Sequence, residues 1–316
     1  MTTLRKSHTP ALEIRLLREG IQESTHHVHA VVCDDRGRVL MGAGDTDLIT
    51  FPRSALKPFQ ALCVTTTGAI ERFGLSDRDI AIICASHQGA PEQARQVFNI
   101  LWRADIEPSA LQCPIPSTGN SPLQYNCSGK HAGMLAAAKQ MTVPLATYIH
   151  RSHPVQQLIL DKIADLLKMP AAEFIGARDD CGAPIYQMEL RQMAQLYAIM
   201  AAGSSLDLER IVRAMTLHPE MVSGPGNFDT EIMRLTQGEV VSKSGAEGIQ
   251  CICRVREGVG IALKVVDGSQ RAKYAAAIHA LKQMGWLSGG AIESLEERFV
   301  NIGAYKRLDA VGQMVG

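Results

Sequence analysis

Ser54 and Lys57 lie three residues apart in the stretch 51–60, and Pro58 follows the lysine directly. Proline is tolerated only in the first turn of an α-helix, because it lacks an N–H and its ring clashes with the preceding turn. A helix that contains Pro58 therefore begins no earlier than about Arg53, with Ser54 at its N-terminal edge. Residues three apart share one helix face, so the Lys57 amine can reach the Ser54 hydroxyl near the positive end of the helix dipole.

This spacing could support nucleophilic chemistry. A serine hydroxyl is a poor nucleophile until a base removes its proton, and a lysine can be that base if its pKa is lowered. The same pair is also compatible with an N-cap serine beside an exposed lysine, because both residue types are common. The rest of the chain has to separate the two interpretations.

Composition narrows the class of partner. The 316 residues are 46% hydrophobic and 20% charged, and 32 basic residues balance 32 acidic ones. Balanced charge does not steer a protein towards nucleic acid or an anionic membrane, and 5% aromatic residues argue against a base-stacking surface. No apolar run is long enough to span a bilayer, which argues against a membrane protein. We expect a small-molecule partner.

The expected location is the cytoplasm. Residues 1–20 carry charges throughout and lack an apolar signal core. The eight cysteines are then expected to be mostly reduced thiols, and several of them lie in apolar runs as small buried side chains.

Strand patterns lie near both ends of the sequence, around a largely helical middle. Residues 27–34 and 38–42 form a predicted hairpin, and 249–256 and 260–266 are predicted antiparallel neighbours. Helices are predicted over 54–68, 91–102, 154–167, 185–200, 208–216 and 271–284. Asp229 is expected to cap a further helix after the turn-rich loop 223–227.

The simplest arrangement of these elements is an α+β fold. A mostly antiparallel sheet, flanked by helices, would combine N- and C-terminal segments and carry an inserted helical subdomain. We expect residues 1–316 to form a single catalytic domain. The Ser54 helix would lie where the two parts meet, which is a favoured place for a pocket.

Two further polar stretches could complete the Ser54 site. Ser86 follows the apolar run 80–85 at a turn, although a loop serine that caps the next helix fits equally well. Lys243-Ser244-Gly245 lies on or just after a late predicted strand. A Ser-x-x-Lys with a later Lys-Thr-Gly is the signature of serine β-lactamases and penicillin-binding proteins. Serine in place of the threonine keeps the hydroxyl.

Six segments together carry a more specific resemblance. In chain order they are Arg53-Ser54-Ala55-Leu56-Lys57-Pro58-Phe59-Gln60, Cys84-Ala85-Ser86-His87, Asn126-Cys127-Ser128-Gly129-Lys130-His131, Asp179-Asp180-Cys181-Gly182, Ser223-Gly224-Pro225-Gly226 and Ser242-Lys243-Ser244-Gly245-Ala246-Glu247-Gly248. The sequence resembles the asparaginase II family, which contains the Rhizobium-type, or class 3, L-asparaginases. The resemblance implies a fold similar to serine β-lactamases and glutaminases, hydrolysis of L-asparagine to L-aspartate and ammonia, and a homodimer.

The resemblance also implies roles for individual residues. Ser54 would be the nucleophile and Lys57 its base, while Ser86 and Lys243 would form a second Ser–Lys pair close by. Arg53, Asp179 and His131 would bind substrate or lie near the site.

A zinc ion held by Cys127, Lys130 and Cys181, with a water as the fourth ligand, is implied as well. The spacing is not that of a standard zinc finger. Residue chemistry alone favours His131 over Lys130, because imidazole is the commoner ligand and a lysine must first lose its proton. His131 thus remains an alternative ligand, and two buried thiols without metal remain an alternative to the site. Because the Ser–Lys apparatus is complete without a metal, the zinc is expected to support substrate binding rather than chemistry.

Two other functions stay open. The chain could be a glutaminase or another Ser-x-x-Lys acyl hydrolase, such as a β-lactamase-like esterase. It could also be a non-catalytic zinc and thiol sensor, which the eight cysteines would suit. A sensor has no need of the Ser–Lys residues, so their presence together favours an enzyme.

Overall fold

A computed structural model describes residues 9–316. The first eight residues, part of the charged stretch behind the expected cytoplasmic location, lie outside the described residues. The strands are β1 (Leu12–Arg18), β2 (Ile21–Asp34), β3 (Val39–Ala43), β4 (Ile49–Thr50), β5 (Gly176–Arg178), β6 (Pro184–Tyr186), β7 (Met188–Glu189), β8 (Val240–Ser244), β9 (Ile249–Arg254), β10 (Val259–Val265), β11 (Asn301–Gly303) and β12 (Lys306–Val311).

The helices form most of the middle of the chain. They are α1 (Lys57–Gln60), α2 (Leu62–Thr65), α3 (Ala69–Phe73), α4 (Asp77–Ile83), α5 (Pro91–Arg103), α6 (Ser128–Gln140), α7 (Pro154–Leu167), α8 (Leu190–Ala201), α9 (Leu206–Leu217), α10 (Pro219–Val222), α11 (Phe228–Leu235), α12 (Gln270–Gln283) and α13 (Gly289–Phe299). No helix within residues 9–316 combines the length and apolar character needed to cross a bilayer.

The main sheet has the strand order β11-β12-β1-β2-β10-β9-β8, and all of its pairings are antiparallel. On one side, the long strand β2 pairs with β1 and then with β3; on the other side it pairs with β10. The predicted α+β class, an antiparallel sheet flanked by helices, is confirmed. The predicted hairpin is β2–β3 and the predicted late strand pair is β9–β10. Strands β1 and β12 were not predicted. Buried and partly buried residues alternate along β1, which is the pattern typical of a strand.

Both faces of the sheet centre are buried. Val31 and Cys33 of β2 pack into the cluster that includes α8 and the helical middle, whereas Ala30 and Val32 pack into the cluster that includes α12. The sequence of a strand that is covered on both faces is continuously apolar rather than alternating between apolar and polar residues. The sheet is therefore a rigid layer between two sets of helices.

The predicted helix over 54–68 is interrupted in the structure. A 3₁₀ turn over Arg53–Leu56 precedes α1, and α2 follows. The turn is closed by bonds from Ala55 N to Pro52 O and from Lys57 N to Ser54 O, and Pro58 lies in the first turn of α1, as its chemistry requires. The interruption leaves Ser54 on a tight turn rather than inside a helix.

Two other predictions about elements were wrong. Helix α8 begins at Leu190 rather than 185, because residues 184–186 pair with β5 and close a hairpin around 179–183. Asp229 does not cap its helix: Asn227 occupies that position, and the Asp229 carboxylate is buried against β8 and β9.

Gly129 lets α6 approach α4 closely. A Cβ atom at Gly129 would lie 1.9 Å from the carbonyl oxygen of Ile82, a distance that real Cβ atoms do not show. The contact brings the residues that follow α4 next to Asn126, just before α6, where His87 N donates to Asn126 O at 3.2 Å.

We predict that Gly129→Ala destabilises the fold by about 3 kcal/mol, because the added methyl group must displace backbone in a packed interface. Gly289→Ala is the matched control, since no atom lies within 4 Å of a Cβ there and the residue starts an exposed helix end. Its effect should stay below about 1 kcal/mol. Denaturant unfolding of both variants measures the difference, and equal stabilities would contradict the packing argument.

Candidate active site

Two buried lysines converge on one serine hydroxyl. Lys57 Nζ of α1 lies 3.0 Å from Ser86 Oγ, and Lys243 Nζ of β8 lies 2.9 Å from the same atom. Both lysine side chains are completely buried. A charged amine can only donate hydrogen bonds, so the hydroxyl can pass its proton only to a lysine that is neutral.

Backbone carbonyl groups hold both amines in place. Lys57 Nζ donates to Ala85 O at 2.6 Å and approaches Asn126 O at 3.5 Å, while Lys243 Nζ donates to Ser244 O at 2.9 Å. The Ser86 N–H donates to Val222 O at 2.9 Å. Chain segments that follow α4 and α10 and precede α6 thus meet around the hydroxyl.

Ser54 lies on the 3₁₀ turn before α1 and is partly exposed. Among the described residues, the Lys57 amine is hydrogen-bonded to Ser86 and two carbonyl groups, and the Ser54 hydroxyl is not one of its partners. A Cβ atom at Gly245 would lie 2.6 Å from Pro52 O, so glycine allows the end of β8 to approach this turn. The structure therefore brings the Ser54 turn beside the strand that carries Lys243.

The electrostatic surroundings of Lys243 are unusual for a lysine. Burial lowers its pKa to about 7, Asp229 opposes the shift with a carboxylate oxygen 3.9 Å from Nζ, and Lys57 adds to it. An amine with a pKa near the working pH can both accept and release a proton, which is the property of an efficient general base.

His87 supports the Ser86 turn in the neutral state. Burial, and then the nearby Lys57, lower its pKa to about 3. Its Nδ1 accepts from Gly89 N at 3.1 Å, so Nε2 carries the proton and faces Ser128 Oγ at 2.9 Å. The imidazole thus ties the turn to the start of α6.

Arg53 connects the Ser54 turn to the loop after β5. Its Nε donates to Asp179 Oδ1 at 2.8 Å, and its guanidinium also bonds to Asp180. The backbone of Arg53 has φ 51°, a left-handed conformation that is strained for a non-glycine residue. Burial alone would raise the pKa of Asp179, but Lys130 and Arg53 lower it.

Cys127, Lys130 and Cys181 also come together. Lys130 Nζ lies 3.1 Å from Cys181 Sγ, and Cys127 Sγ donates to Asn126 Oδ1 at 2.9 Å. The neighbouring Cys127 thiol, and then the charge of Lys130, lower the pKa of the Cys181 thiol, whereas Cys181 and burial raise the pKa of Cys127. Asp179 Oδ2 lies 3.9 Å from Lys130 Nζ, so this group is continuous with the Arg53 ion pair.

His131 is buried one helical turn after Cys127. Its Nδ1 lies 2.6 Å from the Tyr148 hydroxyl, while its Nε2 has no hydrogen-bond partner in the described part of the chain. Burial lowers its pKa to about 3, so the imidazole is neutral.

The donor types fit a zinc site that includes Lys130. Across residues 9–316, no three His, Cys, Asp or Glu side chains form a group that could hold a metal ion. Of the two candidates for a third ligand, Lys130 Nζ lies 3.1 Å from Cys181 Sγ, whereas His131 Nδ1 faces the Tyr148 hydroxyl. Sulfur and nitrogen donors are those that Zn²⁺ prefers. Burial alone would lower the pKa of Lys130, but Cys181, Cys127 and Asp179 raise it, so the amine would have to give up its proton when the metal binds.

Asp229 is a site residue that sequence reasoning missed. Its position after a glycine-rich loop indicated a helix cap, whereas its burial beside Lys243 depends on contacts with two distant strands. No local pattern in the sequence carries that information.

Comparison with known proteins gives one match over nearly the whole chain. A family profile described as L-asparaginase II matches residues 14–315. No curated protein matches the sequence at a significant level.

Solved structures with a detectable likeness include a beta-lactamase from Mycobacterium bovis, a putative beta-lactamase from Bacteroides dorei and the protein Mglu. Mglu is 16% identical, with 82% of this chain and 67% of that chain covered and a TM-score of 0.38. The M. bovis protein is 10% identical, with coverages of 86% and 94% and a TM-score of 0.38. The B. dorei protein is 13% identical, with coverages of 92% and 94% and a TM-score of 0.40. The chain spans about two thirds of the length of the Mglu chain, and identities this low carry no activity from one protein to another.

The lowered pKa of Lys243 predicts a pH-dependent stability. Between about pH 7 and 10.5 the unfolded lysine binds a proton that the folded one does not, so stability should rise with pH in this window. Relative to Lys243→Met, the wild type should gain about 1 kcal/mol per pH unit. Denaturant unfolding from pH 7 to 10 tests this, with the surface substitution Lys282→Met as the control. Parallel curves for the wild type and Lys243→Met would contradict the assignment.

Proposed function

The chain belongs to the L-asparaginase II family, and we propose that it hydrolyses L-asparagine to L-aspartate and ammonia. Family membership makes it an amidohydrolase. The observation that carries the finer proposal is the convergence of the Lys57 and Lys243 amines on Ser86, beside the strained turn that presents Ser54.

In the proposed reaction, Ser54 Oγ attacks the side-chain amide carbon of the substrate. Lys57, in its neutral form, takes the hydroxyl proton as the new C–O bond forms. Two lysines this close cannot easily both be charged, which favours one neutral amine in the group. Backbone N–H groups at the start of the Ser54 turn are the proposed donors to the oxyanion, a kind of interaction worth about 3 kcal/mol per donor.

The second Ser–Lys pair handles the leaving group. Ser86 relays the proton from Lys57 to Lys243. Lys243 then gives it to the amide nitrogen of the substrate, so that the C–N bond breaks and ammonia leaves. A water molecule then attacks the acyl carbon and gives a proton to Lys57. The bond between that carbon and Ser54 Oγ breaks, Oγ takes the proton from Lys57, and L-aspartate leaves. The hydrogen bonds of Ser86 to both amines support this relay.

Charged groups beside the turn suit an amino-acid substrate. The Arg53 guanidinium matches the α-carboxylate of asparagine, and the Asp179 carboxylate matches its α-ammonium group. Because the two residues pair with each other in this structure, the substrate would exchange one ion pair for two new ones. His131 is proposed to contribute its unpartnered Nε2 in the same region.

Zinc is part of the proposal. Cys127, Lys130 and Cys181 would hold it, and the ion would supply a fixed positive charge that orients the substrate or its loop. Lys130 Nζ also lies 3.9 Å from Asp179 Oδ2, so changes at the metal would reach substrate binding.

A cytoplasmic location and a homodimer are proposed with the activity. The location is supported by the eight cysteines, all of which are free and buried rather than paired in disulfides. The homodimer is taken from the family resemblance.

The decisive measurement is ammonia release from L-asparagine, with L-glutamine in parallel. We expect activity on asparagine in the wild type and a loss of about 10³-fold or more in Ser54→Ala, since the residues of such a unit act together. Lys57→Ala and Lys243→Ala should lose activity as well. The exposed Ser152→Ala is the matched serine control and should retain it.

Each other outcome points to a different function. Faster release from glutamine would favour a glutaminase. Folded, zinc-supplied protein that releases ammonia from neither amide would overturn the proposal and leave esters, lactams or a thiol sensor to be tested.

Removing zinc should weaken substrate binding more than it slows turnover. After chelation we expect KM to rise at least about tenfold, with a smaller fall in kcat, because the ion orients the substrate and takes no proton. Metal analysis should find one zinc per chain in the wild type and none in Cys181→Ser, while Cys253→Ala on β9 keeps it. A metal-free wild type with an unchanged KM would contradict the metal proposal.

A further inference from the structure

We propose that Asp229 is a positioning residue, which holds the Lys243 amine on Ser86 and keeps it able to carry a proton. The inference builds on the proposed amidase reaction and adds a residue that neither the motifs nor the family resemblance assigns. It follows from the contacts of Asp229, the charges around Lys243 and the direction in which the proton must move.

The Asp229 carboxylate accepts hydrogen bonds from the β8 residues on both sides of Lys243. Its Oδ1 accepts from Ser242 Oγ at 2.8 Å, Ser244 Oγ at 3.1 Å and Gln250 Nε2 at 2.9 Å. Its Oδ2 accepts from Ser244 N at 2.8 Å. Ser242 and Ser244 are the chain neighbours of Lys243, so these hydrogen bonds hold the backbone from which the Lys243 side chain extends.

The same carboxylate lies next to the amine itself. Asp229 Oδ2 is 3.9 Å from Lys243 Nζ, and both side chains are buried, at 1% and 0% exposure. Lys243 Nζ uses its remaining directions for Ser86 Oγ and Ser244 O, both at 2.9 Å. The amine is therefore surrounded by Asp229, the Ser244 carbonyl and Ser86, the hydroxyl that relays the proton.

After Asp229, the two strongest charges that face Lys243 are positive. Lys57 approaches from α1 and Lys273 from α12, where Lys273 Nζ donates to Gly245 O at 3.0 Å. The thiols of Cys84 and Cys251 also face it, and burial raises the pKa of both, so they are neutral. Cys127, a proposed zinc ligand, acts on Lys243 in the same direction as Asp229 but more weakly, so Asp229 is the strongest anionic influence on the amine.

This arrangement balances two opposed needs. Burial and the two lysines favour the neutral amine, which is needed to accept, through Ser86, the proton that Lys57 takes from Ser54. Asp229 favours the ammonium form, which must exist until the proton passes to the departing nitrogen. Burial would raise the pKa of Asp229, but Lys243 and the hydrogen bonds lower it, so the carboxylate stays charged and takes no proton itself.

The test is the pH dependence of kcat/KM for asparagine in Asp229→Asn. Removing the negative charge makes Lys243 lose its proton at lower pH, so the acidic limb should move down by about one pH unit. At the optimum, kcat should fall at least about tenfold with little change in KM, because the ammonium form is no longer supported.

Glu231→Gln is the matched control. Glu231 is a second buried carboxylate on α11, and it bonds to Gly226 N and Arg298 instead of Lys243. Its variant should keep the acidic limb of the wild type. An active Asp229→Asn enzyme with an unshifted limb would overturn the inference, as would an equal shift in Glu231→Gln.

A stability cycle keeps the inference testable if Asp229→Asn does not fold. In the Lys243→Met background, Asp229 has lost the cation 3.9 Å away and keeps only the weaker influence of Lys273, so adding Asp229→Asn should lower Tm less than it does in the wild type. Equal losses in the two backgrounds, or a double variant that also fails to fold, would overturn the pairing. The cycle needs no activity, so a wild type without amidase activity would overturn the proposed function and leave this measurement valid.

Discussion

Two lysine amines buried against a single serine hydroxyl are the constraint on which the rest of the site depends. Each amine is removed from water, so its donors must find partners inside the protein. Carbonyl groups of Ala85, Asn126 and Ser244 supply them, and one carboxylate supplies the opposing charge. The chemistry of the Ser–Lys group follows from this burial, because an exposed lysine would stay charged at neutral pH.

The fold makes such burial possible by clamping distant parts of the chain together. The sheet is covered on both faces and holds β8 in place, while α4 and α6 approach at a glycine and fix the turn that carries Ser86. The Ser54 turn packs against the end of β8 through a second close approach at Gly245. The packing of the sheet and helices thus holds these polar groups in positions that water cannot reach.

A continuous set of charges links the Ser54 turn to the thiol group. Arg53 pairs with Asp179, Asp179 faces Lys130, and Lys130 contacts Cys181. The proposed substrate and metal positions therefore share one electrostatic network, while Asp229 and its hydrogen bonds form a second network behind Lys243. One network would decide how a substrate is held, and the other how a proton moves.

The sequence by itself determined the residue types, the local elements and the family. Pro58 placed the start of α1, alternation predicted the hairpin and the late strands, and the order of short motifs predicted a family that the profile match confirms. Helix starts such as Pro91 and Pro154 were also readable, because capping and proline chemistry act within one turn.

Only the tertiary structure decided which groups meet. Sequence spacing predicted that the Lys57 amine hydrogen-bonds to Ser54. In the structure the Lys57 amine contacts Ser86, which is 29 residues away. Spacing also made Asp229 a helix cap, whereas packing turned it towards Lys243. Burial, the pKa values that follow from it and the choice of hydrogen-bond partner all depend on contacts between distant segments, and local sequence patterns do not record those contacts.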